Sequence, residues 1–73
     1  MGLSHFERKI VVECISGVLE NGHHKASVHV TYGTAMHIAV ALQKQNFKVQ
    51  VNWSPDNFSF VAPMAFLINV FEN

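Results

Sequence analysis

The stretches SVHVTY at residues 27–32 and KVQVNW at residues 48–53 share one pattern, in which valines alternate with polar residues and an aromatic residue ends the run. Alternation with a period of two is typical of a β-strand that buries one face and exposes the other. Gly33 interrupts the first run, and residues 35–46 then have the apolar spacing of a helix with Thr34 as its predicted N-cap. Strand, helix and strand in this order predict a β-α-β crossover unit with parallel strands.

Both stretches alternate, and this predicts how the sheet is covered. A strand buried on both faces is a continuous apolar run, because helices lie above and below it. Neither stretch has that composition. We therefore expect the helices to lie mainly on one face of the sheet and to leave the other face polar.

A first helix is predicted before the crossover unit. Ser4 and Glu7 have the spacing of a capping box, and Gly22 after Asn21 is a typical helix stop. An ordinary surface helix buries a narrower apolar stripe than this segment offers, so we expect it to be covered on two sides or to form a subunit interface. Its apolar residues are Phe6, Ile10, Val11, Val12, Cys14, Ile15, Val18 and Leu19.

The C-terminal third allows two structures. SPDN at residues 54–57 has turn chemistry, and FSFVA at residues 58–62 is predicted as a third strand paired with the second. Residues 64–73 fit either a strand or a short helix, and Pro63 at a first helical position favours the helix. The predicted order is α-β-α-β-β-α, with α-β-α-β-β-β as the alternative.

Length and composition bound the fold class and its assembly. A chain of 73 residues forms one domain at most, and residues 1–73 are predicted as a single small α+β domain with a mixed three-stranded sheet. The chain is 49% hydrophobic and only 14% charged, which leaves few charges to cover the surface of so small a domain. A homo-oligomer or a large binding face is therefore expected.

Targeting signals are not evident in the sequence. No run approaches the roughly 18 consecutive apolar residues of a membrane span, and no secretory pattern is present. Cys14 is the single cysteine, which excludes a disulfide within the chain. A cytoplasmic location without a membrane partner is expected.

The histidines are the first candidates for chemistry. His23 and His24 are adjacent and His29 is near, but adjacent side chains on extended backbone point apart. No cysteine or carboxylate completes a familiar metal-ligand spacing. Solvated connector histidines are expected, no cofactor or metal residue is predicted, and a histidine-dependent metal-binding protein remains a second alternative.

Catalytic residues are not predicted. Cys14 lies on the apolar side of the first helix and is expected to be a small buried hydrophobe. The carboxylates show no pair placed for acid–base chemistry, and the glycines form no phosphate-binding loop. The sequence therefore favours a protein that is not an enzyme.

Two surfaces are candidates for binding. The exposed sides of the two predicted strands would join into a polar sheet surface, with His29 level with Gln50 if the registers match. Met36 and Val40 form an apolar strip on the second helix, away from its core side. The predicted function is a small oligomeric regulator or inhibitor that binds another protein. The predicted partner-binding residues are Ser27, His29, Thr31, Met36, Val40, Lys48, Gln50 and Asn52.

Nucleic acid is the alternative partner. Trp53, Phe58 and Phe60 are expected in the core, although such aromatics near Lys48 could stack single-stranded bases. The run SGVLENGHHKASVHVTYGTAMHIAVALQKQNF at residues 16–47 is similar in topology to Alba-like and initiation-factor-C-terminal-like folds. This resemblance covers about half of the chain, rests on spacing, and implies a nucleic-acid-binding module. The zero formal net charge disfavours it.

Overall fold

The computed structural model describes residues 2–53 and 59–73 of the chain. Two helices and three strands follow one another in the order α-β-α-β-β, which confirms the predicted α+β class. The elements are α1 (His5–Asn21), β1 (His23–Val30), α2 (Tyr32–Lys44), β2 (Lys48–Trp53) and β3 (Met64–Phe71).

Local signals in the sequence set both ends of α1. The Ser4 hydroxyl accepts a hydrogen bond from the Glu7 N–H at 3.1 Å, and the Glu7 carboxylate accepts one from the Ser4 N–H at 2.8 Å. At the other end Gly22 adopts a left-handed φ of 78° and donates its N–H to the Val18 carbonyl. The predicted capping box and glycine stop are both confirmed, because each depends only on neighbours in the chain.

The start of α2 differs from the prediction. The Thr31 hydroxyl accepts the Thr34 N–H at 3.3 Å, so Thr31 is the N-cap and the helix begins at Tyr32. The prediction that Thr34 caps this helix is therefore wrong. Gly33 lies in the first turn of α2, and β1 ends at Val30.

The sheet has the order β1-β3-β2, and β3 is antiparallel to both neighbours. β1 and β2 therefore run parallel to each other, as a crossover unit requires, but they are not hydrogen-bonded neighbours in the sheet. The predicted mixed sheet is wrong in this respect, because β3 separates the two strands and makes both pairings antiparallel. Alternation within β1 and β2 says which face is buried, but it does not say which strand lies between them.

Residues 64–71 form the central strand, so the predicted C-terminal helix is wrong. Every second side chain is buried at Met64, Phe66 and Ile68, while Ala65 and Leu67 stay exposed. Pairing with β1 and β2 provides hydrogen bonds for the backbone N–H and C=O groups of this segment. These bonds outweigh the preference of Pro63 for the first position of a helix. The predicted third strand at 58–62 is also wrong, since residues 59–62 are not in a strand, and Phe58 and the SPDN turn lie outside the described residues.

Both helices pack on the same face of the sheet and contact each other, as expected from the alternation. The molecule measures 33 × 27 × 15 Å between Cα atoms, which corresponds to one layer of helices on one layer of strands. The buried core comprises Val11, Cys14, Val18, Ala26, Val28, Val30, Ala35, Ile38, Leu42, Met64, Phe66, Ile68 and Val70. One face of the sheet is therefore left without a helix. Neither helix in the described part of the chain has the length and apolarity to cross a bilayer.

Candidate functional site

The sheet face opposite the helices, called the open face below, is formed by alternate residues of all three strands. Its members are His23, Lys25, Ser27 and His29 from β1, Lys48, Gln50 and Asn52 from β2, and Ala65, Leu67, Asn69 and Phe71 from β3. Their side chains share a face because the pleat alternates with a period of two.

The strand register arranges these residues in rows across the sheet. Residues directly opposite each other in an antiparallel pair lie about 4.5–5.5 Å apart. The rows are His23–Phe71–Lys48, Lys25–Asn69–Gln50 and Ser27–Leu67–Asn52. Every row therefore has its β3 residue in the middle and polar residues at both edges.

Five of the predicted binding residues lie on the open face: Ser27, His29, Lys48, Gln50 and Asn52. Thr31 does not lie there, because it caps α2 instead of extending β1. The expected level pairing of His29 with Gln50 is wrong, since His29 lies opposite Ala65 and Gln50 shares its row with Lys25. The insertion of β3 changes which residues of β1 and β2 lie side by side.

The centre of the open face was not foreseen in the sequence. Leu67 is 38% exposed at the middle of this face. Asn69 is only 6% exposed although it points away from the helices, and Lys25 and Gln50 lie on its two sides. The alternation of Ala65, Leu67 and Asn69 with large apolar residues was the signal that could have revealed them.

One end of the open face carries an aromatic pair. The rings of His23 and Phe71 stack with centroids 4.9 Å apart and an interplanar angle of 22°. Lys48 lies on the other side of Phe71 in the same row. This end offers a flat ring surface beside a cation.

The open face is positively charged. Lys25 and Lys48 lie on it together with His23 and His29, and none of its described members is a carboxylate. The acidic residues of α1 belong to the helix layer, and the Glu72 carboxylate lies beside Gly22, where the chain turns from α1 into β1. Two formal positive charges on one face are notable in a chain with no net charge.

His24 points to the helix side of the sheet, away from His23. Its ring lies against Gly17 of α1, where even a Cβ atom would overlap it, and its Nε2 is 3.9 Å from the Glu13 carboxylate. The expectation of solvated connector histidines is therefore wrong, because both residues belong to β1 and both rings have packing partners. The described residues contain no cluster of three or more groups that could ligate a metal.

Cys14 is buried as predicted, with no exposed surface. Burial raises the pKa of its thiol to about 11, and the nearby negative charge of Glu13 adds to this increase. A thiol with such a pKa is almost wholly protonated at neutral pH, so it is a weak nucleophile. Cys14 therefore belongs to the core.

Glu7 links the two helices. It is 7% exposed, and its second carboxylate oxygen lies 3.1 Å from Nδ1 of His37 on α2. The Ser4 N–H lowers the pKa of Glu7 most, the Ser4 hydroxyl and His37 lower it further, and burial opposes them. This pair connects the start of α1 to α2, which makes it a structural contact.

The predicted apolar strip on α2 is only partly exposed. Val40 is 42% exposed and Met36 is half-buried. Val40 borders a shallow cleft of about 250 Å³ between the N-terminal residues Gly2 and Leu3 and the outer side of α2. This strip is therefore a small surface compared with the open face.

The aromatic residues near the end of β2 contact one another, but the expectation that they lie in the core is wrong for Trp53 and Phe60, which are 40% and 70% exposed. Tyr32 makes edge-to-face contacts with Trp53 at 6.0 Å and with Phe60 at 5.6 Å between ring centroids. Trp53 also approaches Phe66 at 6.3 Å. Trp53 belongs to the helix side of β2, so this cluster is not part of the open face.

Comparison with known proteins adds no relative. No family model, no curated protein and no solved structure matches this chain.

Proposed function

We propose that this chain is a small non-catalytic interaction protein that binds another protein through the open face. The observation that carries the proposal is the uncovered sheet face of a molecule only 15 Å thick. Antiparallel sheets do leave one face to water. This open face, however, carries partly exposed apolar side chains on its central strand, Leu67 in the middle and Phe71 at one end, and polar residues on both edge strands. An apolar core with a polar rim is the arrangement found at protein interfaces.

The non-catalytic part of the proposal rests on the side chains that usually carry out chemistry. Cys14 is buried and its thiol pKa is about 11. Glu7 has both carboxylate oxygens engaged, one by the Ser4 N–H and one by His37. A nucleophile or general base has to reach substrate, and neither group is placed to do so.

Self-association in the cytoplasm is part of the same proposal. Leu19 is 72% and Val12 is 56% exposed on α1, away from the buried side of that helix. Light scattering at micromolar concentration is expected to show a dimer or larger species, and Leu19→Arg is expected to shift it toward the monomer. A soluble 8.2 kDa monomer for the unmodified chain contradicts this part of the proposal.

The binding role is tested with two matched variants. Leu67→Arg places a charge in the middle of the open face, whereas Val61→Arg makes the same kind of change at an exposed residue outside both the open face and α1. The unmodified chain and Val61→Arg, immobilised and exposed to an extract of the source cells, are expected to retain the same protein. Leu67→Arg is expected to lose it.

Two outcomes overturn this proposal. Retention of the protein by Leu67→Arg, or equal loss by Val61→Arg, contradicts binding through the open face. Absence of any stoichiometric protein removes the case for a protein partner. Circular dichroism spectra and melting curves of both variants establish that each is folded before the comparison is made.

Single-stranded nucleic acid is a second candidate because of one observation, the His23–Phe71 stack beside Lys48. Aromatic rings next to a cation can stack bases without sequence preference. Affinity for nucleic acid, however, depends mainly on the number of neutralised phosphates. Two lysines on the open face supply few such contacts, so protein remains the proposed partner.

A further inference from the structure

The outer edge of β1 is long and regular. All eight residues of β1 pair with β3, in an unbroken register from His23 opposite Phe71 to Val30 opposite Met64. No other strand in residues 2–53 and 59–73 pairs with its outer side. The strand contains neither a proline nor a bulge, which are features that usually protect an edge from pairing. β1 therefore presents a row of backbone N–H and C=O groups that an added strand can use.

The side chains on the open-face side of β1 favour acidic neighbours. Lys25 is the third of the eight residues of β1, with His23 two residues before it and His29 four residues after it. None of the paired open-face residues of β1 is a carboxylate, and Glu72 borders a depression on the β2 side with Lys48 and Gln50. A strand added beside β1 would place every second side chain next to this row, where a carboxylate opposite Lys25 is favourable.

The side chains on the helix side of β1 favour apolar neighbours. Gly17 of α1 contacts His24 of β1, so this stripe of α1 faces the strand. Phe6 and Ile10 belong to the same stripe by their spacing of eleven and seven residues from Gly17. Phe6 is 48% exposed. The other alternate side chains of an added strand would therefore meet apolar surface beside α1.

The edge of β2 lacks this combination. It is shorter, with six residues, and its one lysine is the first of them. Gln50 and Asn52 follow on its open-face side and carry no charge. β1 is therefore the better edge for an acidic strand.

We infer that the partner engages β1 by adding an extended segment as a fourth strand, in which acidic side chains alternate with apolar ones. The acidic side chains face His23, Lys25 and His29, and the apolar ones face Phe6 and Ile10. The inference rests on the proposed function and names the partner's chemistry. Main-chain hydrogen bonds supply affinity in such complexes, while the alternate side chains supply specificity.

The probe is a fluorescein-labelled eight-residue peptide in which glutamate and valine alternate. Its control has the same composition, with the four glutamates first and the four valines after them. Fluorescence anisotropy with the full chain is expected to show at least tenfold tighter binding of the alternating peptide. N-methylation of alternate peptide bonds on the edge that pairs with β1 is expected to remove that difference, because it blocks the main-chain hydrogen bonds.

Two charge reversals locate the edge. Lys25→Glu is expected to weaken binding of the alternating peptide at least tenfold, and Lys48→Glu less than threefold. Both variants change the net charge equally, so long-range attraction is matched between them. Melting curves show whether each variant is folded.

Equal loss in the two variants, a larger loss for Lys48→Glu, or equal binding of the two peptides overturns the inference. In that case the proposed function still stands, with a different mode of binding, if the unmodified chain retains a cellular protein that Leu67→Arg loses. If the retention experiment also fails to distinguish the unmodified chain from Leu67→Arg, the proposed function is overturned as well.

Discussion

The two faces of the sheet share one backbone but differ in the burial and the polarity of their side chains. On the helix side, Ile68 and Val70 have no exposed surface and belong to the core that β3 forms with both helices. On the open face their neighbours Leu67 and Phe71 remain accessible among lysines and histidines. A shift of one residue along β3 separates the part of the protein that stabilises the fold from the part that we propose binds a partner.

The largest expected effect is a difference in stability between substitutions at two neighbouring residues of β3, one on each face of the sheet. Ile68→Ala is expected to lower the free energy of unfolding by about 2–5 kcal/mol, because it removes buried methyl groups and leaves a cavity. Leu67→Ala, on the open face, is expected to cost about 1 kcal/mol or less. Urea denaturation measures both, and Ile68→Val provides a milder change if the alanine variant does not fold. Equal costs for Ile68→Ala and Leu67→Ala would contradict the division between the two faces.

A second test concerns the contact between Gly17 and His24 on the helix side. Gly17→Ala is expected to destabilise the fold by about 1–3 kcal/mol, because the added Cβ overlaps the His24 ring. In a His24→Ala background the same change is expected to stabilise by about 0.5–1 kcal/mol, since alanine is the better helix former. Thermal or urea unfolding of the four proteins measures this reversal of sign. The same sign in both backgrounds would show that the ring does not occupy this position.

A third test concerns the contribution of the Glu7 carboxylate to stability and its dependence on pH. Its pKa in the folded protein is lower than the ordinary value of 4.5, so its carboxylate stabilises the fold above about pH 4.5. That contribution is lost as the pH falls through the folded-state pKa. Glu7→Gln is expected to cost about 1 kcal/mol at neutral pH, as loss of a helix cap does. The variant is also expected to lose less stability than the unmodified chain when the pH is lowered, because it has no carboxylate to protonate at this position.

Urea denaturation at about pH 6 and about pH 3 measures this contribution. Glu20→Gln is the control, because Glu20 is exposed on the same helix. A Glu20→Gln variant with the same loss of acid dependence would mean that the capping contact is not its source.

The smallest expected effect is the absence of nucleic-acid binding by the open face. At about 150 mM salt, labelled random duplex or single-stranded DNA is expected to show no anisotropy change with protein up to tens of micromolar. The lysines of the open face are Lys25 and Lys48, and two lysines neutralise too few phosphates for tight binding. Submicromolar binding that is sensitive to salt and abolished by Lys48→Glu would promote the nucleic-acid candidate above the protein partner.

Features that depend on near neighbours in the chain were predictable. The Ser4–Glu7 capping box and the Gly22 stop need only a few residues each, and both occur as expected. The alternation in β1 and β2 likewise predicted a one-sided sheet, since side-chain direction in a strand follows from the pleat alone.

Features that depend on distant residues were not predictable. The segment from Met64 to Phe71 has enough apolar residues for either structure, and Pro63 favoured the wrong one. His24 looked like a connector residue because its partner Gly17 lies on another element. In the same way, the rows of the open face could not be predicted, because they depend on the position of β3 between β1 and β2.

The sequence by itself determined the class of the fold, the ends of α1 and which sides of β1 and β2 are buried, because capping and pleat alternation are local physics. Tertiary structure alone decided that β3 lies between β1 and β2. In that position the most apolar strand has pairing partners on both sides and a cover of helices on one face. The same placement brings Leu67, Asn69 and Phe71 between the lysines of the edge strands and so creates the open face.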